Sequence, residues 1–152
     1  MARFNRVNLD GKSVTETRTA ATGVGVLPGS AMVITDNHFA APAGGSSVDK
    51  LYVANTGHLQ RLTADDVIPV GDSIEGEYLE TGRDIAVLVA PNTVLKKDSP
   101  ISLSAAVPGY GRGLFTLAGT PGEDETGDRV VAFSQEDYTV GEAAELVWVR
   151  GA

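Results

Sequence analysis

The sequence predicts an all-β protein: a compact single-domain β-sandwich or barrel over residues 23–152, preceded by an extended N-terminal arm over residues 1–22. Three observations carry this. Between residues 71 and 104, apolar runs of four or five residues alternate with Gly71-Asp72, Thr81-Gly82, Pro91-Asn92 and Lys97-Asp98-Ser99-Pro100, the rhythm of short strands laid side by side. Eighteen glycines and seven prolines are too many for a helical bundle. The apolar runs recur at a spacing of roughly eight to twelve residues, as in sandwiches and barrels. A chain of 152 residues is enough for one domain. Its apolar set is mostly Val, Ala and Leu with nine aromatic residues, so the core is expected to be thin and open to completion by other chains.

Along the chain, residues 1–22 keep neither a helical nor a strand period and read as the arm. Gly23 to Leu27 lead into a Pro28-Gly29 turn, followed by a strand at Ala31 to Thr35. Residues 40–47, AAPAGGSS, are a loop. Lys50 to Asn55 is a strand with Leu51 and Val53 on one face and Tyr52 on the other. Residues 59–69 are ambiguous, because Thr63-Ala64-Asp65-Asp66 is able to cap a single helical turn before Pro69 stops it. Strands follow at Ile74–Leu79, Ile85–Val89, Ile101–Ser104, Leu114–Ala118, Val130–Phe133 and Leu146–Arg150. The run Ile85-Ala86-Val87-Leu88-Val89 is apolar on both faces and is expected to be a central strand buried on both sides.

Charge divides the chain. Residues 1–20 carry four basic and two acidic groups, a net of +2, whereas the rest carries eight basic and eighteen acidic groups, a net of −10. An acidic body repels phosphate backbones, which argues against nucleic-acid binding. The basic start is suited to reaching an acidic partner, or to being a plain disordered tail. The N-terminus has no apolar signal-peptide core and no stretch approaches a membrane span, so a soluble protein is expected. Without cysteine there are no disulfides and no thiolate metal sites.

No catalytic motif survives inspection. Gly71-Asp72-Ser73-Ile74-Glu75 approaches a nucleophile elbow, but Glu75 stands where the second glycine belongs, and a turn entering a strand is the simpler reading. His38 and His58 have no spacing that suggests a triad. Gly11-Lys12-Ser13 matches the end of a phosphate loop, yet Arg6 occupies the position of its first glycine. Gly109 to Gly113 lacks the lysine and a following helix, and is a loop whose glycines supply positive φ. The acidic residues Glu123, Asp124, Glu125 and Asp128, or Asp65, Asp66 and Asp72, have ligands suited to calcium but no EF-hand spacing, and solvated loop tips explain them better. No cofactor, no metal and no enzymatic activity are expected.

Four segments, LPGSAMVITDNHF at 27–39, KLYVAN at 50–55, VGDSIEGEYLETGRDIAVLVAPNTVLKKDSPISL at 70–103 and VVAFSQEDYTVGEAAELVWVR at 130–150, resemble in order and character the head decoration, or capsid cement, proteins of tailed bacteriophages. Ala90-Pro91-Asn92 departs from the glycine-rich turn usual there, and the arm is longer than usual. The resemblance implies a β-tulip or jelly-roll-like fold and a structural protein of the virion. It would be made in the host bacterial cytoplasm and bind the outer capsid surface, stabilising the head against internal DNA pressure. The implied partners are the major capsid protein and further copies of the chain, as a homotrimer or alternatively a dimer. The arm residues Arg3, Phe4, Arg6, Val7 and Leu9 are the expected capsid contacts, ordering when they bind. The alternative is a small β-barrel module of a virion that binds carbohydrate or a receptor. It would need clustered exposed aromatics, whereas Tyr110, Phe115, Tyr138 and Trp148 are scattered in sequence and Trp148 is expected in the core.

Overall fold

The computed structural model describes residues 3–12, 14–20, 25–43, 49–56, 61–110, 113–119 and 128–152. Among them are twelve strands and no helix. These are β1 (Thr15–Thr19), β2 (Ala31–Thr35), β3 (His38–Ala40), β4 (Tyr52–Ala54), β5 (Ser73–Tyr78), β6 (Asp84–Val89), β7 (Val94–Leu95), β8 (Pro100–Leu103), β9 (Phe115–Leu117), β10 (Ala132–Ser134), β11 (Tyr138–Thr139) and β12 (Glu145–Gly151). The protein is all-β, as its turn-punctuated apolar runs predict.

Five strands close a barrel in the order β10-β12-β6-β9-β8, with β8 pairing back onto β10. A second, five-stranded sheet runs β1-β5-β4-β2-β3. Its two outer strands bend toward each other: Ala20, just past β1, bridges Phe39 of β3, and the Thr19 hydroxyl lies 2.6 Å from His38 Nδ1. The short ribbon β7-β11 is a separate two-stranded sheet whose Leu95 packs into the main core.

Strand β6 is the centre of this arrangement, as its doubly apolar sequence predicts. One edge pairs with β12 along its whole length, from Asp84↔Arg150 to Val89↔Glu145. Three distant segments complete the other edge. Residues 7–9 bond Asp84 and Ala86, Gly29 accepts from the Leu88 amide at 2.9 Å, and Phe115 accepts from the Ala90 amide at 2.8 Å. Alternation along β6 then feeds two cores. Ile85, Val87 and Val89 join Ile101, Leu103, Phe115, Val147 and Val149 in the main cluster, whereas Ala86 and Leu88 join Leu114 and Leu146 in another. Strand β2 divides in the same way: Ala31 and Val33 belong to the main cluster, and Met32 packs with Phe39, Ile68 and Ile74 in the curled sheet.

The turns follow local chemistry. Asp36 and Asn37, with φ of 49° and 67°, make the two-residue turn of the β2–β3 hairpin. Pro28 and Gly29 (φ +88°) form a turn closed by the Ser30 amide on the Leu27 carbonyl at 3.1 Å. Residues 63–66 form a turn and not a helical turn. The Asp66 amide closes the turn on the Thr63 carbonyl at 3.1 Å, and the Asp66 carboxylate accepts from both the amide and the hydroxyl of Thr63.

Gly29 sits where space and conformation both forbid a side chain, since an added Cβ would lie 2.4 Å from Leu146 Cδ2 and 2.9 Å from the Leu88 nitrogen. Gly82 has a similar φ of +81° but nothing within 4 Å. Gly29→Ala is therefore expected to lower stability by about 2–3 kcal/mol, and Gly82→Ala by about 1 kcal/mol. Urea denaturation of the two variants checks the ordering, and equal losses would contradict the wedge at β6.

Candidate functional site

The basic N-terminal segment is a strap held on the acidic body, and both ends of it are fastened electrostatically. Its middle is apolar: Val7 is fully buried, and Phe4 and Leu9 pack on the Ala86–Leu88–Leu146 cluster. The Ala86 amide donates to the Val7 carbonyl at 2.8 Å and the Leu9 amide to the Asp84 carbonyl at 3.1 Å, so residues 7–9 act as a short added strand.

At its far end the strap turns through Asp10 and Gly11, where Gly11 takes a φ of +75° and donates to Asn8 Oδ1 at 2.9 Å. Arg83 locks this turn. Its side chain is 3% exposed. Nε donates to Asp10 Oδ2 at 3.0 Å, Nη1 to the Tyr78 carbonyl at 3.3 Å, and Nη2 to the Lys12 carbonyl at 2.9 Å and to Glu77 Oε2 at 3.1 Å. Glu77 is equally buried, and its other oxygen accepts from the side-chain amides of Asn8 and Asn55. Burial drives the Glu77 carboxyl above the usual carboxylate range in spite of Arg83. Burial also pushes Asp10 upward, but the amides of Asp84 and Lys12 together with Arg83 outweigh it and leave Asp10 below its ordinary value.

At the near end, Arg3 donates to both Glu136 oxygens at 2.9 Å and to the Leu146 carbonyl at 3.2 Å, with its guanidinium 3.6 Å from the Tyr138 ring centroid. Tyr138 donates its hydroxyl to Glu145. Burial raises Glu136, yet Arg3 and the Trp148 amide bring it below its ordinary value.

The five arm residues expected to touch a partner thus share one element, and within the single chain most of them are engaged with the chain's own body. Val7, Phe4 and Leu9 face the chain's own body, and Arg3 is paired with Glu136. Arg6 alone among them is exposed and without an ion pair among the described residues. Residues 3–12 are therefore docked, and residues 15–19 are a sheet strand paired with β5 instead of part of an arm. The proposed boundary at 22/23 lies outside the described residues.

Trp148 is also corrected, from the core to the barrel's outer wall, where it is 36% exposed. Val147 and Val149 take the inward positions of β12, so Trp148 points the other way with Arg150. Period-two alternation in Leu146–Arg150 was the signal available for this. Phe133, paired with Arg150 across the ladder, is 38% exposed.

Other sequence candidates come to less. Ser73 opens β5 opposite Thr19, the expected turn into a strand. A cavity of about 480 Å³ is lined by Val26, Leu27, Met32, Phe39, Tyr110 and Leu114, with no charged side chain on its walls among the described residues. Among the described residues, no group of three or more His, Asp or Glu is placed to hold a metal. His58 and Glu123 to Glu125 lie outside the described residues. Among the described residues no helix is long and apolar enough to cross a membrane. No family model matches the chain, and no curated protein matches it.

Removing Arg83 would strand Glu77 and Asp10. Arg83→Met is expected to cost about 3–5 kcal/mol in urea denaturation, and adding Glu77→Gln to recover part of it, since breaking a buried pair costs more than neutralising both partners. Asp10 and Glu136, both lowered, stabilise the docked strap above the usual carboxylate range and lose that contribution as pH falls through their depressed values. Glu77, raised, works in the opposite sense. Exchange protection of the Leu9 and Ala86 amides, corrected for intrinsic rates, should therefore fall below about pH 4 before that of the β6–β12 amides. Simultaneous loss would contradict separate strap release.

Proposed function

We propose that this protein is a head decoration protein of a tailed bacteriophage. It binds the outer surface of the assembled capsid as a homotrimer and stabilises the shell against the pressure of packaged DNA. The observation that supports this best is the strap itself, a discrete basic element on an acidic β body, fastened at two points and carrying on its exposed side Arg6, which has no ion pair among the described residues. It is a part suited to engaging a shell without any catalytic step, and the decoration role requires none.

In this reading the protein is synthesised in the bacterial cytoplasm and joins the major capsid protein after the shell has formed. Binding the closed lattice in preference to its opened form stabilises each site by mass action, about 4 kcal/mol at a thousandfold excess over Kd. Repetition over many sites makes modest individual contacts sufficient. The acidic body faces outward and keeps particles apart.

Co-sedimentation of the full-length protein with purified heads tests the reading. Arg6→Glu, which breaks no hydrogen bond or ion pair among the described residues, is expected to weaken binding about tenfold and to leave the denaturation midpoint unchanged. A wild-type protein that fails to sediment with heads would end the proposal, and an unchanged affinity for Arg6→Glu would remove the strap from it.

A further inference from the structure

The strap and the loops at 64 and 107–110 cover the outer barrel wall over Ala86, Leu88 and Leu146, and the cover stops at Trp148. Beyond it Phe133 and Trp148 are 38% and 36% exposed. Phe133 lies directly across from Arg150. Gln135, two residues on, donates its amide to the Trp148 carbonyl at 3.0 Å. Two aromatics and two planar polar side chains therefore alternate at the corners of a square, with diagonal neighbours within reach of one another.

Ion pairs border the square. Arg150 forms a fork with Asp84, Nε to Oδ1 at 2.8 Å and Nη2 to Oδ2 at 3.2 Å. On the other side Lys97 bonds both Asp98, at 3.0 Å, and Gln135 Oε1, at 2.9 Å. Charge cancels at both margins, on a molecule whose net charge is −8. Their inward neighbours Ala132, Val147 and Val149 build the barrel core, and exposed large apolar groups in a cluster mark a binding surface.

We propose that Phe133, Gln135, Trp148 and Arg150 form a binding platform for a neutral glycan, independent of the strap and of the decoration reading. A pyranose ring offers an apolar C–H face that stacks on an indole or phenyl ring. Its rim carries vicinal hydroxyls, which suit the guanidinium N–H groups of Arg150 not used on Asp84 and the spare lone pairs of Asp84. A neutral sugar fits a surface whose charges already cancel. A phosphate-bearing ligand would meet the acidic body. A protein partner fits less well, because it would have to cover the flanking ion pairs and pay their desolvation.

Trp148 is the chain's sole tryptophan, so its fluorescence reports the site directly. The full-length protein is titrated with four neutral hexasaccharides, of β-1,4-glucose, α-1,4-glucose, α-mannose and N-acetylglucosamine. At least one is expected to shift the emission at concentrations below about 10 mM. In calorimetry with that sugar, Trp148→Ala, Phe133→Ala and Arg150→Lys are each expected to weaken binding about tenfold, while Arg6→Glu leaves it unchanged. Denaturation midpoints within error of the parent confirm that the variants are folded. Silence with all four sugars overturns the proposal, as does a sugar response that persists in Trp148→Ala and Phe133→Ala. Loss of head binding in those two variants without any sugar response also overturns it, and makes the platform a protein interface.

Discussion

The second edge of β6 is the constraint on which the rest of the structure depends. A barrel strand needs hydrogen-bonding neighbours on both sides, and buried amides left unpaired are costly. Strand β12 satisfies one side, but β9 meets β6 at the single parallel pair Val89↔Phe115. The remaining groups are satisfied by the Gly29 turn and by residues 7–9. This explains why Gly29 tolerates no side chain, why the N-terminal segment is docked, and why elements far apart in sequence must come together before any one is stable. It also joins the two sheets, because the Gly29 turn leads directly into β2.

The strap adds an electrostatic layer to that constraint. Val7 alone is a small apolar anchor. Fixing the segment falls to Arg83, which reads the Asp10 turn and the Lys12 carbonyl from inside, and to Glu136 and Tyr138, which hold Arg3 at the opposite end. Because the buried set of Arg83, Asp10 and Glu77 holds one cation and two carboxylates, Glu77 remains the strained member, supported by the amides of Asn8 and Asn55. The same strap leaves Trp148 and Phe133 uncovered, so its length decides which part of the barrel wall faces outward.

Much of the fold was legible in the sequence, for identifiable reasons. Strands β2, β6, β8 and β12 are apolar runs bounded by Gly, Pro, Asn or Asp, β5 is announced by the Gly71-Asp72 turn before it, and β6 was recognisable as central because both of its faces are apolar. Strand β1, TETRT, and β3, HFA, carry no such pattern. Pairing with β5 and with β2 makes them strands, against weak local preference. The docking of the N-terminus was invisible, since Phe4, Val7 and Leu9 show no strand period and their partners lie far along the chain, Leu146 among them. The platform was half legible: alternation places Trp148 opposite Val147 and Val149, but only the register with β10 brings Phe133 and Gln135 beside it.

The lone β6–β9 pair has a mechanical meaning. Pulled across its wall, the barrel has one line where two strands share a single register pair, while β6 and β12 share six. Load crossing that line is carried by the Gly29 turn and the strap, which span it like stitches over an open hem. The barrel is thus expected to gape at this line first and to hold longest between β6 and β12, so its resistance to force depends on the fastening of its first dozen residues.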